Sequence, residues 1–559
     1  MEPRSKKIVI IGGVAAGATA AARARRLDEE AEITIVERGP YVSFANCGLP
    51  YFLSGEIEKR SALLLQTPEG FFGRYRVDVQ LNTEAVAIDR TRRTVTVRDS
   101  AGERLLGYDS LILALGGSPI TPPIEGIDRA NVFRLWTIPD MDAIHAYASS
   151  TKASSAVIVG GGFIGLEAAD AFARRGLAVS IVDVAPHLMP PADAEFGKQI
   201  ENAYAASGVR THVGRSVTRV FERDGVALAA LDDGTELSAD LVLVSAGVRP
   251  NVTLARAAGL HVGELGGVVV DEFMRTSDRH IYAAGDMVEL TQRVSGKRAR
   301  VPLAGPANRQ GRIAATNALG GSMKYRGALG TSVLKVMDDT FAMTGLTERA
   351  AQQAGIEARA VTIHKDHHAA YYPGATELTL KLVFDASDGR VLGAQAFGRN
   401  GVDKRIDVIA TALAGGLTID DVAELDLAYA PPYGSANDPL NMVAFAAQND
   451  LSGYSRATSP RELLDAMKAG TVTVLDVRTR GESGRTPLRA VENIPLDELR
   501  DTLEEVPRGV PLVLLSKNGF EGHVGARLLR GAGIDDVTYL SGGMRSLLLE
   551  SGVAEVLNG

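Results

Sequence analysis

The chain has 559 residues, 45% of them hydrophobic and 23% charged, with a formal net charge of -8 and a single cysteine. At about 150 residues per domain this length predicts roughly three or four packed domains, and the interspersed acids and bases leave no basic face for nucleic acid. With no apolar run of about 18 residues and no leader pattern, the expectation is a cytoplasmic protein with small-molecule partners and no membrane contact.

Residues 6–37, KKIVIIGGVAAGATAAARARRLDEEAEITIVE, read as a strand, a glycine turn, an alanine-rich helix and a second strand ending in Glu37. In such a unit the glycines let the backbone approach a pyrophosphate at the positive end of the helix, and the closing acid can bind a ribose hydroxyl. The glycines are Gly12, Gly13 and Gly17, with Val14 and Ala15 where the strict fingerprint has another glycine. A turn that only packs helix on sheet fits the same residues.

VSFANCGLPYFLSG, residues 42–55, holds Cys47, the chain's one sulfhydryl. Asn46, Gly48 and Pro50 predict a turn, unlike the buried setting of most free cysteines. One cysteine cannot close an internal disulfide, so disulfide chemistry has to borrow its second sulfur.

From Ala156, AVIVGGGFIGLEAADAFARRGLAVSIVDVAP repeats the first unit with the full fingerprint Gly160, Gly162, Gly165 and with Asp183 closing the next strand. An acid there accepts hydrogen bonds from a 2′-hydroxyl and repels a 2′-phosphate, so NADH is expected over NADPH. Arg174 and Arg175 keep NADPH possible. Two such units imply two dinucleotides, one a flavin mediating between nicotinamide and substrate. RHIYAAGDMVEL places Asp286 after a strand and Gly285, where a carboxylate can hold the sugar-alcohol chain of FAD or cap a helix.

With LILALGGSPITPP (111–123), VSAGVRPN (244–251), IYAAGDMVE (281–289) and VPLAGPANRQGR (301–312), the two units resemble the FAD-dependent pyridine nucleotide-disulfide oxidoreductases over about residues 6–448. SFANCGLPY, YYPGA (371–375) and YAPPYGSANDP (429–439) look like the single-cysteine branch containing coenzyme A-disulfide reductases and NADH-dependent persulfide reductases. The resemblance implies an α/β protein with two Rossmann-like dinucleotide-binding domains. The FAD domain would be 1–115 with 250–325, the NAD(P)H domain 150–247, and an α+β dimerisation domain 328–448.

It also implies site residues. For FAD these are Gly12, Gly13, Ala15, Ala16, Gly17, Glu37, Arg38, Asn46, Val86, Gly116, Asp286, Leu303, Ala304 and Ala307. For NADH they are Gly160, Gly162, Phe163, Ile164, Gly165, Glu167, Asp183 and Gly247. Coenzyme A would meet Thr19, Arg23, Arg26, Ser43 and Asn46, although a run such as ARARR is otherwise a solvated helix face. Tyr429 and Tyr433, with Tyr371 or Tyr372 nearby, would reach Cys47 from the partner of a homodimer. Asn437 stands where relatives often carry lysine, so one phosphate contact is expected to be missing.

The implied chemistry needs one protein sulfur. As a thiolate, Cys47 attacks a coenzyme A disulfide or the outer sulfur of a coenzyme A persulfide, and tyrosine hydroxyls donate protons. The expected aids to the thiolate are a flavin face, a helix N-terminus and these hydroxyls. The alternatives are an NADH oxidase or peroxidase cycling through Cys47 sulfenic acid, and a flavin-bearing redox sensor. HKDHH (364–368) lacks a clustered acid or cysteine and reads as a loop, so no metal is expected.

A polar linker, 449–457, precedes a further alternation of strands and helices that predicts a small α/β domain. Residues 458–556 resemble a rhodanese through Asp476-Val477-Arg478, Asn493-Ile494-Pro495-Leu496-Asp497 and Ser541-Gly542-Gly543. Its loop SKNGFEG (516–522) opens with Ser516 where active rhodaneses have cysteine, and Glu521 stands where a cation is common. A serine cannot carry a persulfide, so this domain is not expected to transfer sulfur: either it has drifted into a binding or structural role, which the altered neighbours favour, or Ser516 is an engineered substitution.

Overall fold

The run KIVII forms the strand Lys7–Ile11, four of its five residues buried, as expected of an unbroken apolar run in a parallel sheet. It is the middle strand of five, in the order Ile281–Ala283, Ser110–Leu113, Lys7–Ile11, Glu32–Val36 and Val77–Gln80, all parallel. Parallel pairing sends every carboxyl end to one edge, so Gly12, Glu37, Ala114 and Asp286 gather there although up to 274 positions apart by number (286 − 12). The helix Ala15–Leu27 packs along the helix Ala304–Ala318 beside this sheet.

A second parallel sheet repeats the plan, in the order Arg210–Val213, Ala178–Asp183, Ser155–Val159, Leu241–Val244 and Val132–Phe133. The strand Ser155–Val159 is buried throughout. This computed structural model describes residues 5–557. Both parallel sheets belong to one compact unit, Met1–Pro186 with Ser207–Gly330; the other is His187–Ala206 with Thr331–Gly559. The architecture is the expected α/β one.

The second unit is built on an antiparallel sheet in the order Ser332–Val336, Asp339–Gly345, Val391–Gly398, Glu377–Asp385 and Ala358–Asp366. It takes in the helix Ala194–Ala206, whose numbers fall inside the span 150–247 expected for the nucleotide domain. It is tied there by the packing of buried Phe196 on Phe341 and by a buried charge. Lys381 is 7% exposed and its ammonium lies 2.9, 2.6 and 3.0 Å from the carboxylates of Asp193, Glu195 and Glu348. A buried cation is tolerated only when paired, so the segment carrying Asp193 and Glu195 is held on the sheet that carries Lys381.

The span 449–457, expected as a polar linker, is fixed in place. The helix Pro439–Leu451 runs into it, and fully buried Asp450 takes the guanidinium of Arg359 and the amide of Ala457. Arg527 stacks on Tyr454 at 3.6 Å, and Arg530 donates to the Gly453 carbonyl at 2.6 Å. A third parallel sheet follows, in the order Ala457–Thr458, Val537–Leu540, Leu512–Leu515, Thr473–Asp476 and Glu492–Asn493. It is seated on the antiparallel sheet. The Thr362 amide donates to Ser541 Oγ at 2.9 Å, and buried His364 spans Thr379 Oγ1 at 3.0 Å and Ser546 Oγ at 2.9 Å. Among the described residues no helix is long and apolar enough to cross a membrane.

Candidate active site

Cys47 sits in a single 3-10 turn, Asn46–Gly48, that runs straight into the helix Leu49–Ser54. Pro50 suits the first turn of a helix, where its missing N–H costs nothing. Gly48 is required by close approach: a Cβ there would lie 2.5 Å from Leu63. The sulfur is therefore presented at the start of a helix, and Cys47 is exposed, as its neighbours predict. Its thiol lies 3.8 Å from Asn46 Oδ1.

The helix start does not make Cys47 acidic in the protein alone. Surrounding protein crowds the sulfur although solvent reaches the residue, and this desolvation, followed by the carboxylates of Glu167 and Asp286, pushes the thiol above its ordinary range.

Beside Cys47 a cavity of about 680 Å³ follows the carboxyl edge of the first sheet. Gly12, Gly13, Ala15 and Ala16 from the glycine turn line it, with Glu37 and Arg38 after the second strand. So do Asn46, Val86 and Gly116, and Asp286 and Ala307 on the far side. Gly17 packs elsewhere: a Cβ on it would stand 1.8 Å from the Gly12 carbonyl, so it permits helix and turn to touch. Leu303 and Ala304 open the helix Ala304–Ala318 and are not among the lining residues. Sequence reasoning missed Tyr41, Thr83 and Trp136, the chain's one tryptophan, which also line the cavity. Only Trp136 carried a signal, its rarity.

Glu37 accepts from the Gly13 and Gly39 amides, each at 2.8 Å. Asp286 has no hydrogen bond among the described residues, and burial pushes its carboxyl above the usual range. A carboxylate facing a cavity without a partner matches a ligand rich in hydroxyls. The lining thus fits FAD: glycine amides for pyrophosphate, Glu37 for ribose, Asp286 for the polyol.

The second unit of the pattern is tighter. A Cβ on Gly165 would stand 1.9 Å from the Gly160 carbonyl, whereas one on Gly162 would meet nothing within 4 Å. Gly165 is thus a packing residue, and Gly162, heading the helix Phe163–Arg174 that contains Ile164, leaves open approach for a phosphate. Asp183 accepts from the Gly161 and Ala185 amides at 2.5 and 2.7 Å, as Glu37 does in the first copy. Gly247, at φ +100°, accepts at its carbonyl from the Ile120 amide at 2.9 Å. Glu167, on the helix, receives the Tyr51 hydroxyl at 3.3 Å.

The arginines of the first helix separate by role. Arg25 is a buried brace whose guanidinium donates to the carbonyls of Tyr75, Asp28, Ala31 and Arg76. Arg23 donates to Thr316 Oγ1 at 3.2 Å, Thr19 to Asn308 Oδ1 at 2.8 Å, and Arg26 is exposed. Burial, then Arg312 and Arg26, hold Arg23 below the usual guanidinium range. This is a small cationic cluster, with Arg312 an unanticipated member. Ser43, also expected to meet coenzyme A, donates its amide to the Gly13 carbonyl at 2.8 Å.

In the second unit Tyr371, Tyr372, Tyr429 and Tyr433 are all exposed, and the hydroxyls of Tyr371 and Tyr429 lie 3.3 Å apart. Their loops are pinned by Arg405, 1% exposed, which grips Asp438 at 2.7 and 3.1 Å and the His367 carbonyl at 2.7 Å. Nothing in the sequence pattern marks Arg405. His364, His367 and His368 bond hydroxyls and carbonyls, and no group of metal-binding side chains occurs among the described residues.

Two parallel-sheet nucleotide units beside one presented thiol define a nicotinamide-linked disulfide oxidoreductase. The chain belongs to the pyridine nucleotide-disulphide oxidoreductase family, whose model matches residues 6–311; the family's dimerisation-domain model matches 331–438. It is 38% identical over 440 residues to the CoA-dependent NAD(P)H sulfur oxidoreductase of Pyrococcus abyssi, covering 78% of this chain and 97% of that one. Among solved structures it is similar to reduced CoADR-RHD of Bacillus anthracis, at 40% identity and TM-score 0.95, covering 100% of both chains. It is also similar to an NAD-dependent persulfide reductase from A. fulgidus, at 38% identity and TM-score 0.90, covering 97% of this chain and 99% of that one. The family uses FAD and NAD(P)H.

Proposed function

We propose that this chain is an NADH-dependent flavoprotein reductase of coenzyme A disulfide or coenzyme A persulfide, working as a homodimer through Cys47. The observation that carries the reading is the one exposed thiol of the chain, held by a helix start beside the cavity that fits FAD. The relatives' names support the substrate class.

FAD, when bound between Asp286 and the first glycine turn, supplies the two-electron passage from nicotinamide to sulfur. Cys47 attacks one sulfur of the substrate and keeps it as a mixed disulfide, or as a persulfide when the substrate is one, while the other thiol leaves. Thr19, Arg23 and Arg26, joined by Arg312, hold the phosphates of coenzyme A, with Ser43 and Asn46 nearer the thiol. Asp183 selects the 2′-hydroxyl coenzyme. The partner subunit brings its tyrosine pair toward the sulfur, where a hydroxyl donates the proton the departing thiolate needs. Residues 458–556 form a rhodanese-like domain without sulfur transfer.

Intact-mass analysis of the purified protein before and after NADH tests the reading. A loss equal to one coenzyme A on reduction is expected whenever the enzyme is isolated with Cys47 capped. Oxygen or peroxide consumption faster than turnover of the sulfur substrates would replace this reading with an oxidase. Measured kcat/KM is expected to favour NADH over NADPH by about tenfold or more, from loss of a ribose hydrogen bond and repulsion by Asp183. A clear preference for NADPH would overturn that part.

A further inference from the structure

The loop 367–376, which carries Tyr371 and Tyr372, leaves the antiparallel sheet at the paired ends of the strands Ala358–Asp366 and Glu377–Asp385. In that register His364 stands opposite Thr379, and Asp366 opposite Glu377. Side chains two apart on a strand share a face, so the face on which His364 meets Thr379 and Ser546 also carries Asp366 and Glu377. Two carboxylates thus close the neck of the loop, directly across from each other. Like charges so placed push the strands apart.

The cation beside them comes from residues 458–556. Ser541 Oγ accepts the Thr362 amide at 2.9 Å and Ser546 Oγ meets His364 at 2.9 Å, which sets the helix Gly543–Leu547 along this row of side chains. Arg545, within that helix, pairs with Glu377. Burial holds its guanidinium below the usual range, and Asp366 acts against that fall. The neighbouring bases are engaged or turned away. Lys381 is held by Asp193, Glu195 and Glu348, Lys404 and Arg405 lie against Asp438, and Lys365 alternates to the opposite face of its strand. Among the described residues no other ion pair reaches Asp366 or Glu377.

The neck governs both tyrosine loops. The His367 amide donates to the Thr376 carbonyl at 3.0 Å, the Ala369 amide donates to the Gly434 carbonyl at 2.9 Å, and the Tyr371 and Tyr429 hydroxyls lie 3.3 Å apart. We propose that Arg545 is a positioning residue for these tyrosines: the domain without a thiol lends a guanidinium that neutralises Asp366 and Glu377 and so fixes the loop 367–376. Residues 458–556 thereby take part in the reaction without transferring sulfur. This rests on the reading above that the tyrosines serve the thiol of the partner subunit.

The test is hydrogen exchange of the peptide spanning 367–376 in the full, FAD-loaded chain, read by mass spectrometry beside turnover of coenzyme A disulfide. Arg545→Met keeps much of the side chain's bulk and removes its charge. Exchange in the loop is expected to rise roughly threefold to fivefold, with kcat falling by a similar factor and KM for NADH unchanged. Arg545→Lys should restore most of both. Glu377→Gln added to Arg545→Met should return exchange to the parent's rate, because the repulsion has gone. Salt at about 1 M, which screens charges beyond roughly 3 Å, should shrink the loosening in Arg545→Met, as it would not for a loss of packing alone. Exchange unchanged in Arg545→Met, or equally fast in the double variant, overturns the proposal whatever turnover does. Faster exchange with full turnover overturns the part given to the tyrosines and leaves the redox role of Cys47 standing, which Cys47→Ser tests separately. Should Arg545→Met not fold, the double variant decides: exchange near the parent's is expected, and a double variant that also fails to fold, or exchanges roughly fivefold faster, ends the proposal.

Discussion

Cys47 and Ser516 occupy the same kind of place, a short loop that turns into a helix beside a parallel sheet, and their fates are opposite. Cys47 is exposed, and its loop stands next to a large cavity. Ser516 is fully buried, its Oγ accepts the Gly519 amide at 3.0 Å, and its loop is pressed against the Ser541-Gly542-Gly543 turn. A reactive sulfur position needs access and a way to hold negative charge, and loop shape provides neither. The first loop keeps access. The second has used its amide and its space to pack.

The largest expected effect breaks the first half of that comparison. Cys47→Ser removes the one atom able to form a mixed disulfide, so turnover of disulfide and persulfide should fall by about a thousandfold or more. Bound FAD, read from its absorbance, should stay, because Cys47 is not among the cavity-lining residues. Retained turnover would show that the sulfur is not the relay.

A smaller effect concerns how the domain that carries the second loop is seated. His364 is buried between Thr379 and Ser546, and burial followed by Arg545 pushes it from the ordinary 6.5 down to about 4. The unfolded chain therefore binds this proton at higher pH than the native one. Stability from the site is intact above about 6.5, is lost as pH falls toward 4, and amounts to at most ~3 kcal/mol. Unfolding followed at pH 7.5 and pH 5 should show the loss, and His364→Gln should flatten the difference. An unchanged pH slope in that variant would mean the two sheets are not joined through His364.

Much of this was legible in the sequence wherever chemistry follows from a local pattern. KIVIIGG and AVIVGGG each specify strand, turn and helix start within a dozen residues, and parallel pairing then brings Glu37, Asp183 and Asp286 to the sheet edges. Ser516 was legible as a missing sulfur. What stayed hidden depends on pairs distant in sequence. The helix Ala194–Ala206 joins the antiparallel sheet through Phe341 and Lys381, each more than a hundred positions away. Arg405 holds the tyrosine loops from inside the core, and Asp450 turns an expected linker into a fixed joint. Their partners are set by folding, and no spacing rule announces them. The rise in the Cys47 thiol is a further effect of this kind: burial comes first, and Glu167 and Asp286 add to it from other elements.

The smallest expected effect is the sharpest test of the comparison. Ser516→Cys restores the sulfur that active rhodaneses use, yet transfer from thiosulfate should remain indistinguishable from the parent. A thiol at a fully buried position loses the solvation its anion needs, and the Gly519 amide already serves the side chain it faces. Space is short as well: a Cβ on Gly543 would lie 2.4 Å from the Ser516 carbonyl and 2.7 Å from the Asn518 and Gly519 amides. The loop and the closing turn therefore leave no room between them for a second sulfur. Glu521, in the first turn of the helix Phe520–Gly531, adds negative charge where a persulfide anion would need its opposite. One sulfur in place of one oxygen would have to overcome burial, crowding and repulsion together. Robust transfer by this variant would mean that the loop opens in solution, and that Ser516 and Cys47 differ in the sulfur alone.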